Sequence, residues 1–262
     1  MTKSHIHTEA DLDAALAALS RADPRFAALT AAAGRPPLRR RPDGFAGLAA
    51  IIVAQQLSTA SANAIWGRLA AAFDPLDPAA IIRARPARLA RLGLSAPNIR
   101  ALKAIARAVA GGDLALAALG ELAAEDAHAA LTAVHGIGPW TADIYLLSCL
   151  GHADAWPAGD LALQEAARVA FALPSRPSAK EMQALADPWR PWRAVAARIL
   201  WTYYRAAAAA AKSSPARRAT VSGTAAKAKN QKRRLIARPK SRASAGGNRR
   251  RTRSGRAPAG ER

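Results

Sequence analysis

The tetrapeptide Gly136-Ile137-Gly138-Pro139 lies between two stretches whose apolar residues recur at helical spacing. Glycine accepts left-handed backbone and lets another group approach closely. Proline suits the first position of a helix. The four residues therefore predict a tight turn between two helices, over 123–134 and 139–150. Backbone N–H groups around Gly136, Gly138 and Trp140 are left facing out of this hairpin. Free N–H groups at a helix start attract anions, and a nucleic-acid phosphate fits such a site. The apolar Ile137 and the small Thr141-Ala142 pair favour this reading over a plain helix–helix corner.

Further on, Asp160 follows Pro157-Ala158-Gly159 and precedes LALQEAARVAF, again with helical spacing. Aspartate is among the best N-caps, which is one reading of this residue. The other is chemical. A carboxylate at a helix start is kept ionised by the dipole and the nearby N–H groups. An ionised carboxylate is what a reaction building positive charge on a sugar needs. The two readings are compatible, and residue type alone leaves both open.

The remainder also reads as helix. Alanine is abundant, β-branched residues are few, and no alternating strand pattern stands out. The expected fold class is all-α. Helices are expected near 8–20 and 24–33, with Thr8 and Asp23 as caps. Asp43 is expected to cap the next, with Phe45, Leu48, Ile51, Ile52 and Leu57 as its buried stripe. Further helices are expected over 61–73, in short proline-cut pieces over 74–95, and from Ser95 or Ala96 to Gly111-Gly112. The last three are expected over 161–172, 178–186 and 191–211. Arg39-Arg40-Arg41 reads as a solvated loop or a phosphate contact.

Half of the residues are apolar, enough for a core, yet the net charge is +21. That balance implies a polyanionic partner, most simply nucleic acid. Much of the charge falls beyond Ala211, where residues 212–262 are rich in Ala, Lys, Arg, Ser, Gly and Pro and contain no aromatic residue. Such a composition cannot offset the entropy of ordering. A disordered basic tail with non-specific, salt-sensitive DNA affinity is expected there. The single cysteine, Cys149, excludes an internal disulfide and a four-cysteine zinc or iron–sulfur site. With no long apolar run and no visible signal peptide, no membrane association is expected, and the expected location is cytoplasmic, at the nucleoid.

Four stretches then carry a resemblance: GIGPWTADIYLL (136–147), PAGDLAL (157–163), IIVAQQLSTASANAIWGRL (51–69) and WRPWRAVAARILW (189–201). Together they resemble the helix-hairpin-helix DNA glycosylase superfamily, in its alkylation-repair branch, DNA-3-methyladenine glycosylase II. The resemblance covers about residues 40 to 205. It implies a domain over 1–211 with two helical lobes, 1–42 plus about 140–211 and about 43–139, and a cleft between them. It implies hydrolysis of the N-glycosidic bond of alkylated purines such as 3-methyladenine, within base excision repair. Asp160 matches the catalytic carboxylate. Trp140 and Trp201 match pocket aromatics, whose faces attract a cationic base; Tyr145 and Tyr203 are further pocket candidates, with Tyr204 nearby. Trp66, Trp156, Trp189 and Trp192 are expected in the core.

The same resemblance gives Gly136, Ile137 and Gly138 the task of holding a DNA phosphate, and Gln56 that of filling the gap left by an extruded base. It implies no required cofactor, no iron–sulfur cluster, and a Na or K ion on the backbone carbonyls of Thr132, Val134 and Ile137. The Schiff-base lysine of the bifunctional branch is matched by Trp140, and no lysine lies in 131–179. A monofunctional enzyme is therefore expected, acting as a monomer on double-stranded DNA with alkylated bases. The rival reading is a non-catalytic helix-hairpin-helix DNA-binding or nucleoid-associated protein in which Asp160 is only a cap.

Overall fold

The structure is a computed structural model that describes residues 5–213. Among the described residues it is helical with no strand; one isolated antiparallel bridge joins His5 and His152. Chain order begins with α1 (Glu9–Ala22), α2 (Arg25–Ala33), α3 (Gly44–Ala54) and α4 (Thr59–Ala72). Next come α5 (Pro78–Arg83), α6 (Pro86–Arg91), α7 (Ala96–Gly111) and α8 (Ala124–Thr132). The chain closes with α9 (Pro139–Tyr145), α10 (Leu161–Ala170), α11 (Ala179–Ala186) and α12 (Arg193–Ser213). Short 3-10 turns cover Leu116–Glu121 and Asp187–Trp189, neither of which the sequence pattern announces.

Local chemistry explains most boundaries. Thr8 and Asp11 form a reciprocal capping box at α1, as Ser178 and Glu181 do at α11. Ser58, Asp77 and Ser95 each accept a backbone N–H at the start of α4, α5 and α7. Two expected caps differ. Asp43 occupies the N-cap of α3 but its side chain accepts no capping bond. Pro24, not Asp23, is the N-cap of α2. The Asp23 carboxylate still accepts the Arg25 backbone N–H at 3.1 Å, at the start of α2, and in addition takes the Arg25 guanidinium and the Trp189 indole N–H at 3.0 Å. It thereby ties the α1–α2 corner to the turn at 187–189.

Helix α3 is buried on nearly every side, through Phe45, Leu48, Ala49, Ile51, Ile52 and Val53, and packs on α4, α7 and α9. Each fully buried Leu or Ile contributes about 1.5–3 kcal/mol. Helix α7 shows the one-sided pattern: Ile99, Leu102, Ile105 and Ala106 are buried, and it packs on α5 and α6. Within the same core, an aromatic group of Phe26, Trp156, Phe171 and Trp189 joins α1–α2 to the segments around α10 and α11. Trp156 and Trp189 are buried there, and Trp66 and Trp192 are half-buried against the core. Cys149 is fully buried, and burial pushes its thiol up to about 11.

The helix expected over 139–150 changes winding. After Tyr145 the residues Leu146–Leu150 adopt π geometry. The carbonyls of this wide turn hold the segment before α3 and also α12. Arg41 N–H donates to Ser148 O at 2.8 Å, Arg40 Nη2 to Cys149 O at 2.6 Å, and Arg198 Nη2 to Leu147 O at 3.1 Å. The arginine run is therefore partly stitched to the fold, while Arg39 and Arg41 are exposed. The reading of the basic tail falls outside the described residues from 214 onward. Among the described residues no helix is long and apolar enough to cross a membrane.

Candidate nucleic-acid interface and carboxylate site

The hairpin is built as its sequence predicts, but its two glycines have different reasons. Gly136 has φ +95, and a Cβ there would lie 2.7 Å from the Cβ of Ala101 on α7. Gly136 is thus required by the fold. Gly138, the N-cap of α9, has φ −85 and nothing within 4 Å of a Cβ position. No neighbour within the protein demands glycine there. Its effect is to leave the start of α9 bare. Ile137 is 4% exposed, so its side chain anchors the hairpin in the core.

Asp160 caps α10: its Oδ1 accepts the Leu163 N–H at 2.7 Å. It also receives two indoles. Trp140 Nε1 donates to Oδ2 at 2.8 Å and Trp201 Nε1 donates to Oδ1 at 3.2 Å. Asp160 is only half-buried, so its carboxylate retains an outward approach. The turn leading to it is fixed by the Asp160 N–H on Pro157 O at 2.9 Å and by Gln164 Nε2 on Ala158 O at 2.9 Å.

The loop that carries Asp160 is pinned further back. Arg193, at the start of α12, clasps Asp154 with both ends of its guanidinium at 2.8 Å. Arg190 adds Asp154 and Glu125 at 2.5 and 2.9 Å. A planar, bidentate and largely buried pair of this kind fixes orientation as well as distance. Trp201 is on the same α12, so one helix sets both the loop and an indole partner of its carboxylate.

The other expected pocket residues divide. Tyr145 is fully buried and its hydroxyl accepts the Gly44 N–H at 3.0 Å; burial pushes its phenol well above the usual range. It is a packing residue, which corrects its place on the pocket wall. Tyr203 follows Trp201 by two residues, so on a helix it projects to the other side; Tyr204, three residues on, shares the Trp201 side. Tyr204 also lies close enough to Arg168 of α10 to act on its charge. Gln56 sits exposed at the α3–α4 turn with φ +58, uncommon for a non-glycine residue. Its neighbour Leu57 is 41% exposed, so it is not part of the buried stripe of α3. An apolar side chain at an exposed tip is the feature the helical pattern disguised. Gln55 turns inward instead, donating to Thr141 Oγ1 at 2.7 Å.

Two cavities adjoin the indoles. One, of about 700 Å³, includes Trp140, Gly159, His128, Asp143 and Lys180 in its wall. Burial there pushes Asp143 up to about 7, opposed by the Arg193 charge, and His128 Nε2 lies 3.7 Å from it. The other, of about 270 Å³, includes Trp201 and Ile144. Among the described residues, no cluster of three or more His, Cys, Asp or Glu side chains is arranged to hold a metal ion.

Residues 49–191 match the family model described as HhH-GPD superfamily base excision DNA repair protein. The DNA-3-methyladenine glycosylase of Bacillus subtilis is 30% identical over 129 residues, covering 49% of this chain and 42% of that protein. A probable bifunctional transcriptional activator/DNA repair enzyme AlkA of Mycobacterium tuberculosis is 33% identical over 204 residues, covering 74% of this chain and 40% of that protein. The chain therefore spans less than half the length of these two relatives. Among solved structures, the Schizosaccharomyces pombe 3-methyladenine DNA glycosylase Mag1, in complex with abasic DNA, superposes with a TM-score of 0.66 at 28% identity, covering 72% of this chain and 95% of that one. With a family match over more than half of its residues, and the hairpin and capping aspartate in place, the chain belongs to the HhH-GPD superfamily of base excision DNA repair proteins.

Proposed function

We propose that this chain is a monofunctional DNA glycosylase that releases alkylated purines, 3-methyladenine and related bases, from double-stranded DNA. The observation that carries the reading is the Asp160 carboxylate, oriented by three N–H donors from Trp140, Trp201 and Leu163. A mere cap needs only the last of these. The names of the similar proteins support the same reaction.

An alkylated purine carries positive charge and departs readily. The C1′–N bond breaks, its electron pair leaves with the base, and the sugar gains oxocarbenium character. Asp160 stabilises that charge and accepts a proton from the water that attacks C1′. The base first leaves the stack, at a cost of a few kcal/mol that damage reduces. The bare start of α9 at Gly138 holds a backbone phosphate meanwhile. Leu57, beside Gln56 at the exposed turn, is placed to enter the gap. In this reading the duplex enters between a lobe of about 43–139 and one of 1–42 plus about 140–211, and the protein acts as a monomer.

A monovalent cation suits the carbonyls of Thr132, Val134 and Ile137, because the end of a helix leaves carbonyls without intrahelical partners. The Val134 carbonyl accepts the Ile137 N–H at 3.1 Å within this turn. Such an ion would supply positive charge beside the phosphate.

The test is incubation with methylated duplex DNA and measurement of free bases. Asp160→Asn keeps an excellent N-cap, so the fold persists. Base release is expected to fall by about 10²–10³-fold while DNA affinity is retained. Borohydride added to the wild-type reaction is expected to trap no covalent adduct; Lys180, on the wall of the cavity beside Trp140, is the amine to suspect if it does. Undiminished release by Asp160→Asn would support the non-catalytic rival.

A further inference from the structure

Two hollows of about 510 and 520 Å³ share the short helix α6. The wall of the first carries Arg83, Arg85, Arg88 and Arg91, beside Phe73. The second runs from Pro86 of α6 along α7 to His135, next to the hairpin, and its wall carries Arg100, Lys103 and Arg107. Neither wall contains a carboxylate, and neither includes Trp140, Asp160 or Trp201. The imbalance is written in the chain: residues 78–112 hold seven Lys or Arg and no Asp or Glu. Among the described residues none of the seven takes part in an ion pair. Exposed arginines elsewhere do, as Arg35 with Glu9 and Asp13 and Arg168 with Glu165. An ordinary solvated surface intersperses both signs, and this one does not.

The cations are also ordered. Arg100, Lys103 and Arg107 fall at i, i+3 and i+7, on one face of α7. Seven residues of helix rise about 10 Å, the axial length of about three nucleotide steps. Lys103 Nζ donates to Ile82 O at 2.9 Å and Arg88 Nη2 to Ala72 O at 3.0 Å, so backbone carbonyls rather than carboxylates hold them. The Arg88 guanidinium also lies 4.4 Å from the centre of the Phe73 ring, which fixes its plane. Burial first, then the Arg107 charge, lowers Lys103, so these two cations feel each other. The hairpin packs on the same helix, Gly136 against Ala101. The basic face is therefore continuous with the hairpin.

Positive charge without compensation opposes compactness by self-repulsion, and a polyanion relieves it. A duplex backbone offers regularly spaced anions and releases its counterions on contact. We infer that the arginine face of α5, α6 and α7 is a second DNA-contact surface, which takes the duplex beyond the damaged nucleotide and sets how much of it the protein grips, without a part in the chemistry at Asp160. The inference rests on DNA being the substrate, as proposed above, and adds a region of contact outside the hairpin and the carboxylate site.

The experiment uses the full chain and two sets of substitutions, Arg83→Gln with Arg85→Gln and Arg91→Gln, and Arg100→Gln with Arg107→Gln, alone and combined. All five side chains are exposed, and Arg88 and Lys103, which hold carbonyls, stay in place. Equilibrium binding is measured across a salt series on two duplexes, of about one and about three helical turns, each with a stable abasic analogue at its centre to fix the register. Each phosphate contact adds about 0.9 to the slope of log affinity against log salt. On the long duplex the combined variant is expected to lose about 2–4 from that slope and roughly 10–100-fold in affinity at low salt. On the short duplex both are expected to stay near the wild type. Lysine at the same five positions keeps the charge and is expected to keep the slope, which separates lost charge from a damaged fold. An unchanged slope on the long duplex, or an equal loss on both lengths, overturns the inference; the first marks a solvated face, the second a contact at the lesion. Loss of binding to polyglutamate with none on DNA also overturns it and identifies an acidic protein partner. If the wild type releases no base from methylated DNA yet the length-dependent loss is seen, the hydrolytic reading fails while this surface stands. A wild type that binds neither duplex overturns both.

Discussion

The Trp140 indole N–H donates to Oδ2 of Asp160 at 2.8 Å. An aromatic residue at the hairpin thereby fixes the direction of a carboxylate that opens a later helix. Trp140→Phe keeps an aromatic face and removes the donor. A hydrogen bond to a charged group is worth about 1.5–3 kcal/mol, so base release is expected to fall by roughly ten- to a hundredfold. Trp201→Phe, whose bond is longer at 3.2 Å, is expected to lose less. Single-turnover release from methylated DNA measures both. Equal activity in Trp140→Phe would mean the indole supplies only its face.

The hairpin glycines separate folding from binding. Gly136→Ala forces a side chain into φ +95 and onto Ala101. Backbone strain alone is expected to cost roughly 1–3 kcal/mol, read as a lower Tm. Gly138→Ala meets open space, so stability is expected to change by no more than about 0.5 kcal/mol. DNA affinity is expected to drop in that variant, because a methyl group covers the start of α9. Unaltered affinity would remove this N-terminus from the interface.

The exposed tip at α3–α4 distinguishes two neighbours. Leu57→Ala is expected to slow base release from duplex DNA several-fold while leaving release from single strands nearly as before, since only a duplex has a gap to fill. Gln56→Ala is expected to have the smaller effect. The opposite order would return the role to Gln56.

Asp143 predicts a pH dependence of stability. Burial raises its carboxyl to about 7, against the lowering influence of Arg193. Between about pH 4 and 7 the native state holds a proton that the unfolded chain releases. This contribution to stability therefore declines as pH rises through that window and is fully lost above it. Asp143→Asn is expected to raise Tm relative to the wild type at pH 8, by an amount corresponding to at most about 4 kcal/mol, with little difference at pH 4. Thermal melts at the two pH values check it; a variant less stable at pH 8 would show that the ionised carboxylate is favourably paired, with His128 as the nearest candidate.

Helix periodicity, caps and the glycine–proline turn are local signals, and they made much of the fold legible. Ser95, Ser178 and Asp160 begin helices because their side chains reach N–H groups three residues away. Where a longer-range partner competes, local reasoning fails. Asp23 adds the distant Trp189 to its local bond with the Arg25 N–H, and Tyr145, close in sequence to the site, is claimed by Gly44. The π turn at 146–150 is likewise invisible in the pattern, because its open carbonyls are matched by Arg40, Arg41 and Arg198 from elsewhere.

By itself the sequence determined the hairpin, the capped helices and the placing of an aspartate at the start of one, since each depends on neighbours a few residues apart. Only the tertiary structure decided that Trp140 and Trp201 share that aspartate, that Ile137 faces the core, and that three arginines from two separate segments line one cavity. The physical reason is directional: hydrogen bonds and burial depend on where a side chain arrives in space, and helix packing sets that arrival over separations no local pattern records.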